Sequence, residues 1–140
     1  MKEKHKRSKP SVEEKVKLLG ILTRHVGRAK SISLTALYEE LYGKPCTNRY
    51  SMARGLRRLI TVLRKEGIPV CSTTEPEGGG YYLAAAGSEL ENYCKRLRIR
   101  AIKILKMEAN LIGKPLPDLL GQIIIAMGSS IEKIGGTTDE

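Results

Sequence analysis

Glycine and proline cut this chain into short pieces, and that punctuation limits its fold more than any other feature. Breakers stand at Gly27, at Gly43-Lys44-Pro45, at Gly67, across Glu75-Pro76-Glu77-Gly78-Gly79-Gly80 and at Gly113-Lys114-Pro115. Glycine accepts the left-handed backbone that ends helices, while proline lacks an amide donor and disfavours helix at the residue before it. The intervals between breakers therefore hold only short helices and strands, apart from the long stretch after Gly80. At 140 residues the chain suits one domain, or one domain carrying a helical appendage.

Apolar spacing then assigns the intervals. Ser11 and Glu14 make a capping-box pattern ahead of Val12, Val16, Leu19, Leu22 and Val26, which predicts a first helix closed by Gly27. Ser31-Ile32-Ser33 reads as a short extended piece. Leu34, Leu37, Tyr38 and Leu41 predict a second helix stopped by Gly43. Thr47 or Asn48 caps a third, running to about Glu66 with Met52, Leu56, Leu59, Ile60 and Leu63 inward. Ile68–Thr73 and Tyr81–Ala85 are strand-like runs around the glycine loop, hence a hairpin that can pair with the extended piece. Ser88-x-x-Glu91 opens a long helix to about Ile112, and Pro117-Asp118 starts a last one that Gly135 ends.

The charge is uneven. Lys and Arg number 25 against 15 Asp and Glu, a net +10 that favours a polyanionic partner. Met1–Lys30 carries +7, Lys44–Gly67 +6 and Ser88–Lys114 +4, while Pro115–Glu140 carries −3. The first residues, through Lys9, bury nothing and are expected to be a basic flexible arm.

Other chemistries find little support. Cys46, Cys71 and Cys94 lack the paired spacing of a zinc site and read as reduced thiols, so neither metal nor cofactor is expected. His5 lies in the arm and His25 stands near a helix end between Arg24 and Arg28, with no partner set for acid–base work. Gly78-Gly79-Gly80 is not followed by a phosphate-loop lysine, and is read as a turn needing positive φ. Leu119–Met127, the most apolar stretch, is too short to span a bilayer. A cytoplasmic, non-enzymatic protein is expected.

The order helix, short strand, helix, turn, helix, strand, loop, strand resembles the winged helix-turn-helix. The resemblance is closest to the biotin-repressor N-terminal type, carried by Leu63-Arg64-Lys65-Glu66-Gly67, then Ile68-Pro69-Val70, then Gly80-Tyr81-Tyr82-Leu83. It implies a mainly α fold with a small β-hairpin wing over residues 11–87, behind an arm at 1–10. A C-terminal α-helical extension at 88–135 and a frayed tail at 136–140 follow. It also makes Thr47–Glu66 a recognition helix. Opposite the inward stripe fall Arg49, Tyr50, Ala53, Arg54 and Arg57. Asn48 suits an adenine edge, Arg49 and Arg54 guanine edges, and Ala53 a close backbone approach, with Tyr50 beside them. Lys44, Arg57, Arg58 and Arg64 are placed for phosphates. The loop tip Glu75-Pro76-Glu77 is acidic and is not expected to grip the backbone.

Leu90, Leu97, Ile104 and Leu111 recur every seven residues with Cys94 and Ala101 between them, the pattern of a helix–helix seam. With Ile123, Ile124 and Met127 on the last helix, they predict a homodimer built from residues 88–134. The expected function is sequence-specific binding of double-stranded DNA, as a transcriptional regulator of bacterial or phage-like, nucleoid-associated kind. The alternatives are a replication or recombination accessory protein of mobile-element origin, and a protein-interaction adaptor whose basic face only solubilises.

Overall fold

A computed structural model describes residues 9–74 and 79–135, with side chains through Gly128. The expected arm (apart from Lys9 and Pro10), the acidic loop tip and the expected frayed tail lie outside the described residues. The described residues form five α-helices and one two-stranded antiparallel sheet, so the chain is mainly helical with a hairpin. It divides into two compact units, Met1–Tyr93 and Cys94–Glu140.

In the first unit, α1 (Val12–Leu22) starts as its cap predicts: Ser11 Oγ accepts from the Glu14 amide at 3.2 Å. It ends sooner than the spacing implied. Leu18, Ile21 and Leu22 are buried, whereas Val12 and Val16 are 73% and 65% exposed. The expected stripe of Val12, Val16, Leu19, Leu22 and Val26 is therefore not the buried face. Val26 lies beyond the helix, where His25–Gly27 runs along the sheet edge. A turn of 3-10 helix, Arg28–Lys30, follows.

Helix α2 (Leu34–Tyr42) is capped by Ser33, whose Oγ accepts from the Ala36 amide, and is stopped by Gly43 at φ 68°. It buries Leu34, Leu37, Tyr38 and Leu41. Burial, then Glu14, then Tyr38 push the Tyr42 phenol above its ordinary pKa, which keeps it neutral at physiological pH. Helix α3 (Arg54–Lys65) buries Leu56, Leu59, Ile60 and Leu63, an i, i+3, i+4, i+7 stripe that joins α1 and α2 in one core.

The hairpin pairs β1 (Val70–Thr73) with β2 (Gly80–Leu83), in the register Val70–Leu83 to Thr73–Gly80. The extended piece joins the other edge of β2: Ile32 and Tyr81 exchange both backbone hydrogen bonds, at 2.9 and 2.8 Å. Side chains alternate across the sheet, as pleating requires. Val70, Tyr81 and Leu83 pack on the helical core, and Cys71 and Tyr82 pack on Tyr93 behind it.

Tyr93 belongs to α4 (Gly87–Ile112), so the first turns of that helix are part of the N-terminal unit. The helix begins at Gly87, ahead of the Ser88 expected to cap it, and is tied there by Glu89. Its two carboxylate oxygens accept from the Ala85 and Arg28 amides.

The second unit holds the rest of α4 and α5 (Leu116–Gly135). Among its described residues only Ala109 and Leu119 are buried. No single helix among the described residues is long and apolar enough to cross a membrane.

Candidate nucleic-acid interface

The positive charge of residues 44–67 sits on the segment between α2 and α3 and on α3 itself, and the backbone of that segment sets how it is presented. Asn48 Oδ1 accepts from the amides of Tyr50 and Ser51 at 3.0 and 3.3 Å, and the Asn48 carbonyl accepts from the Met52 amide. Asn48 thus caps a separate turn, Arg49–Ala53, and α3 begins only at Arg54. The expected third helix from Thr47 or Asn48 is in fact this turn followed by a shorter helix. The cap also engages the amide oxygen that reading an adenine edge requires, so Asn48 is placed as a builder of the loop.

The turn splits the expected contact residues. Arg49, Tyr50 and Arg54 are exposed, Tyr50 at 75%. Ala53 is fully buried in the core, so it offers no surface to a partner, contrary to the sequence expectation. The turn rotates that position inward, into the core cluster that also holds Leu56. Lys44 is exposed, and Arg58 is exposed as well. Arg57 is half-buried and donates to the carbonyls of Arg49 and Tyr50 at 3.0 and 3.4 Å, so it braces the turn from α3.

Arg64 also has a structural duty. Its Nε donates to the Val70 carbonyl at 2.7 Å, and its guanidinium lies 6.0 and 5.6 Å from the Tyr81 and Tyr93 ring centroids. Ser72 Oγ is 3.4 Å from the same group. Arg64 is therefore a strut joining α3, both strands and α4, while the residue as a whole stays exposed. Arg64→Ala should lower stability by about 2 kcal/mol, the sum of one charge-assisted hydrogen bond and partly exposed cation–π contacts. Thermal unfolding checks this, and an unchanged midpoint would contradict the strut.

Between these arginines and the hairpin lies a cleft of about 510 Å³. Ser33, Leu34 and Thr35 at the start of α2 form one wall, Ser72–Thr74 and Gly79–Tyr81 another, and Arg49 and Arg57 line it as well. Two guanidinium groups, several hydroxyls and the positive end of a helix dipole favour an anion. The sequence reading missed the hydroxyl residues here. Ser33 reads as part of an extended piece, Ser72 and Thr73 as a strand end and Thr74 as the start of the loop, so no periodicity singles them out.

His25 is engaged locally: its Nδ1 lies 2.8 Å from the Lys30 carbonyl. Cys46, Cys71 and Cys94 form no disulfide among the described residues; they are half-buried, buried and exposed respectively, and Cys71 Sγ donates to the Pro69 carbonyl. Among the described residues no three His, Cys, Asp or Glu side chains cluster as a metal site.

The seam residues of α4 are on the surface. Leu97, Ile104 and Leu111 are 41%, 62% and 82% exposed. On α5, Ile124 and Met127 are exposed as well, and Ile123 is half-buried. No protein-family model, curated protein or solved structure matches this chain.

Proposed function

We propose that this protein binds duplex DNA sequence-specifically, as a transcriptional regulator whose N-terminal unit works as a winged helix-turn-helix. The observation that carries this reading is the exposed basic face Arg49, Tyr50 and Arg54, adjoining a cleft lined by Arg49, Arg57 and hydroxyls. Three helices, a hairpin and an extended piece bonded to its second strand support the winged-helix assignment. Arg54 and Arg49 reach base edges in the major groove. Lys44 and Arg58, with the cleft, hold phosphates.

Selection of bound sites from random duplexes tests this reading. A defined motif is expected, and recovery of random sequence would sink it. On the selected site Arg54→Ala should cost about 1–3 kcal/mol and relax the preference at one position, with little loss on random DNA. Equal losses on both would remove Arg54 from base readout.

The protein acts as a homodimer through its C-terminal unit. Two amphipathic helical segments that, within this unit, bury only Ala109 and Leu119 among their described residues leave an apolar surface larger than a soluble monomer ordinarily exposes. A second copy covers it, and supplies the second reading head that a site of useful length requires.

A further inference from the structure

The seam of α4 carries information about orientation. In helical projection Cys94, Leu97, Ala101, Ile104, Glu108 and Leu111 fall on one stripe, spaced alternately three and four residues apart. All six lie on the surface of the C-terminal unit, with Ile104 and Leu111 the most exposed of its large apolar members. The stripe alternates in size. Leu97, Ile104 and Leu111 are large, whereas Cys94 and Ala101 are small and Glu108 is charged. Arg98 and Arg100 flank it, and neither they nor Glu108 form an ion pair among the described residues.

We infer that two copies pair antiparallel through α4, about a twofold axis passing between Ile102 and Lys103. This rests on the homodimer reading above and deepens it. Cys94 then meets the partner's Leu111, Leu97 the partner's Glu108, and Ala101 the partner's Ile104. Each wholly apolar layer joins a small side chain to a large one, which fills space evenly along the seam. Glu108 comes beside the partner's Arg98 and the partner's Arg100, so opposite charges flank the apolar layers.

The parallel arrangement fails on the same residues. It stacks Ala101 on Ala101 and Cys94 on Cys94, leaving gaps, and it faces Glu108 with Glu108. Sliding the antiparallel pair by one heptad, to centre on Ile99, keeps small against large but sets Arg98 against the partner's Arg100. Of these three arrangements only the first satisfies both size and charge. It separates the two Cys94 residues by about 26 Å along the helices.

Oxidative cross-linking of full-length protein with peptide mapping tests the register. Leu111→Cys should give a disulfide between Cys94 of one copy and the introduced thiol of the other, and wild type should give no Cys94–Cys94 bond. A Cys94–Cys94 bond in wild type overturns the antiparallel register while leaving the dimer standing. Light scattering on wild type that finds a monomer overturns the dimer itself, and leaves the face to another occupant such as an anionic bilayer. DNA retention measured on the same sample shows separately whether the DNA reading survives.

A second measurement avoids the cysteine chemistry. Glu108→Arg should raise the dimer dissociation constant by about tenfold or more. Combining it with Arg98→Glu and Arg100→Glu should return the constant to within about threefold of wild type. A triple variant no tighter than the single one overturns the pairing.

Discussion

Gly80→Ala should lower the stability of the N-terminal unit by about 3–4 kcal/mol, with a fall in melting temperature on the order of 15 °C. The cause is a close approach of two backbones. A Cβ on Gly80 would stand 1.9 Å from the Ile32 carbonyl oxygen and 2.8 Å from the Ser33 amide nitrogen. Neither is the flexible end of a side chain, so the extended piece must move off β2. That movement breaks the two Ile32–Tyr81 hydrogen bonds and leaves their donors and acceptors unpaired next to the core. It also displaces Ser33, the cap of α2 and one wall of the cleft.

Gly20→Ala is the control. Nothing lies within 4 Å of its added Cβ, late in α1, so the alanine should stabilise by about 0.5–1 kcal/mol. Thermal or urea unfolding reads both. Equal small effects at the two positions would show that the Ile32–Tyr81 pairing is not needed for stability.

Affinity for duplex DNA should fall about 500-fold between roughly 50 and 200 mM salt. Lys44–Gly67 carries +6 and the chain begins with a run of lysines and arginine. If about five phosphates are neutralised, log K falls against log salt with a slope of roughly −4 to −5. The structure changes which side chains supply that slope. Arg57 and Arg64 are engaged by the fold, so the exposed Lys44, Arg49 and Arg54 carry most of the folded unit's share. Lys44→Ala should reduce the slope by about one. Titration on a fluorescent duplex across a salt series measures this. A slope near zero would favour the protein-interaction adaptor.

The helices were legible in the sequence where one face alone meets the core. For α2 and α3 the buried residues are those the spacing picks out, because each packs on one side against a single layer. The hairpin was legible for a similar reason, since breakers bound two short runs. For α1 the spacing misled. Val12 and Val16 are apolar residues at helical intervals, yet those turns lie beyond the core's reach. Periodicity reports which face is apolar, and the position of neighbouring elements decides how much of it is covered.

The same distinction runs through the candidate site. Charge and composition by themselves determined that residues 44–67 carry the positive field, because formal charge depends on residue type alone. What each arginine does was decided by tertiary structure. Arg64 reads in the sequence like any basic residue near a helix end, and only the hairpin and the start of α4 folding back past α3 bring Val70, Tyr81 and Tyr93 to it. Ala53 reads as exposed on a continuous helix, but the Asn48-capped turn changes the phase of the backbone and buries it. Gly80 reads as a turn glycine. Its requirement comes from a segment far away in the chain, because the Ile32 carbonyl oxygen lies 1.9 Å from where a side chain would begin. Local propensity, capping and charge act over a few residues and can be read from the sequence. Contacts between distant segments depend on where the whole core places them, and these set which of the charged residues stay available to a partner.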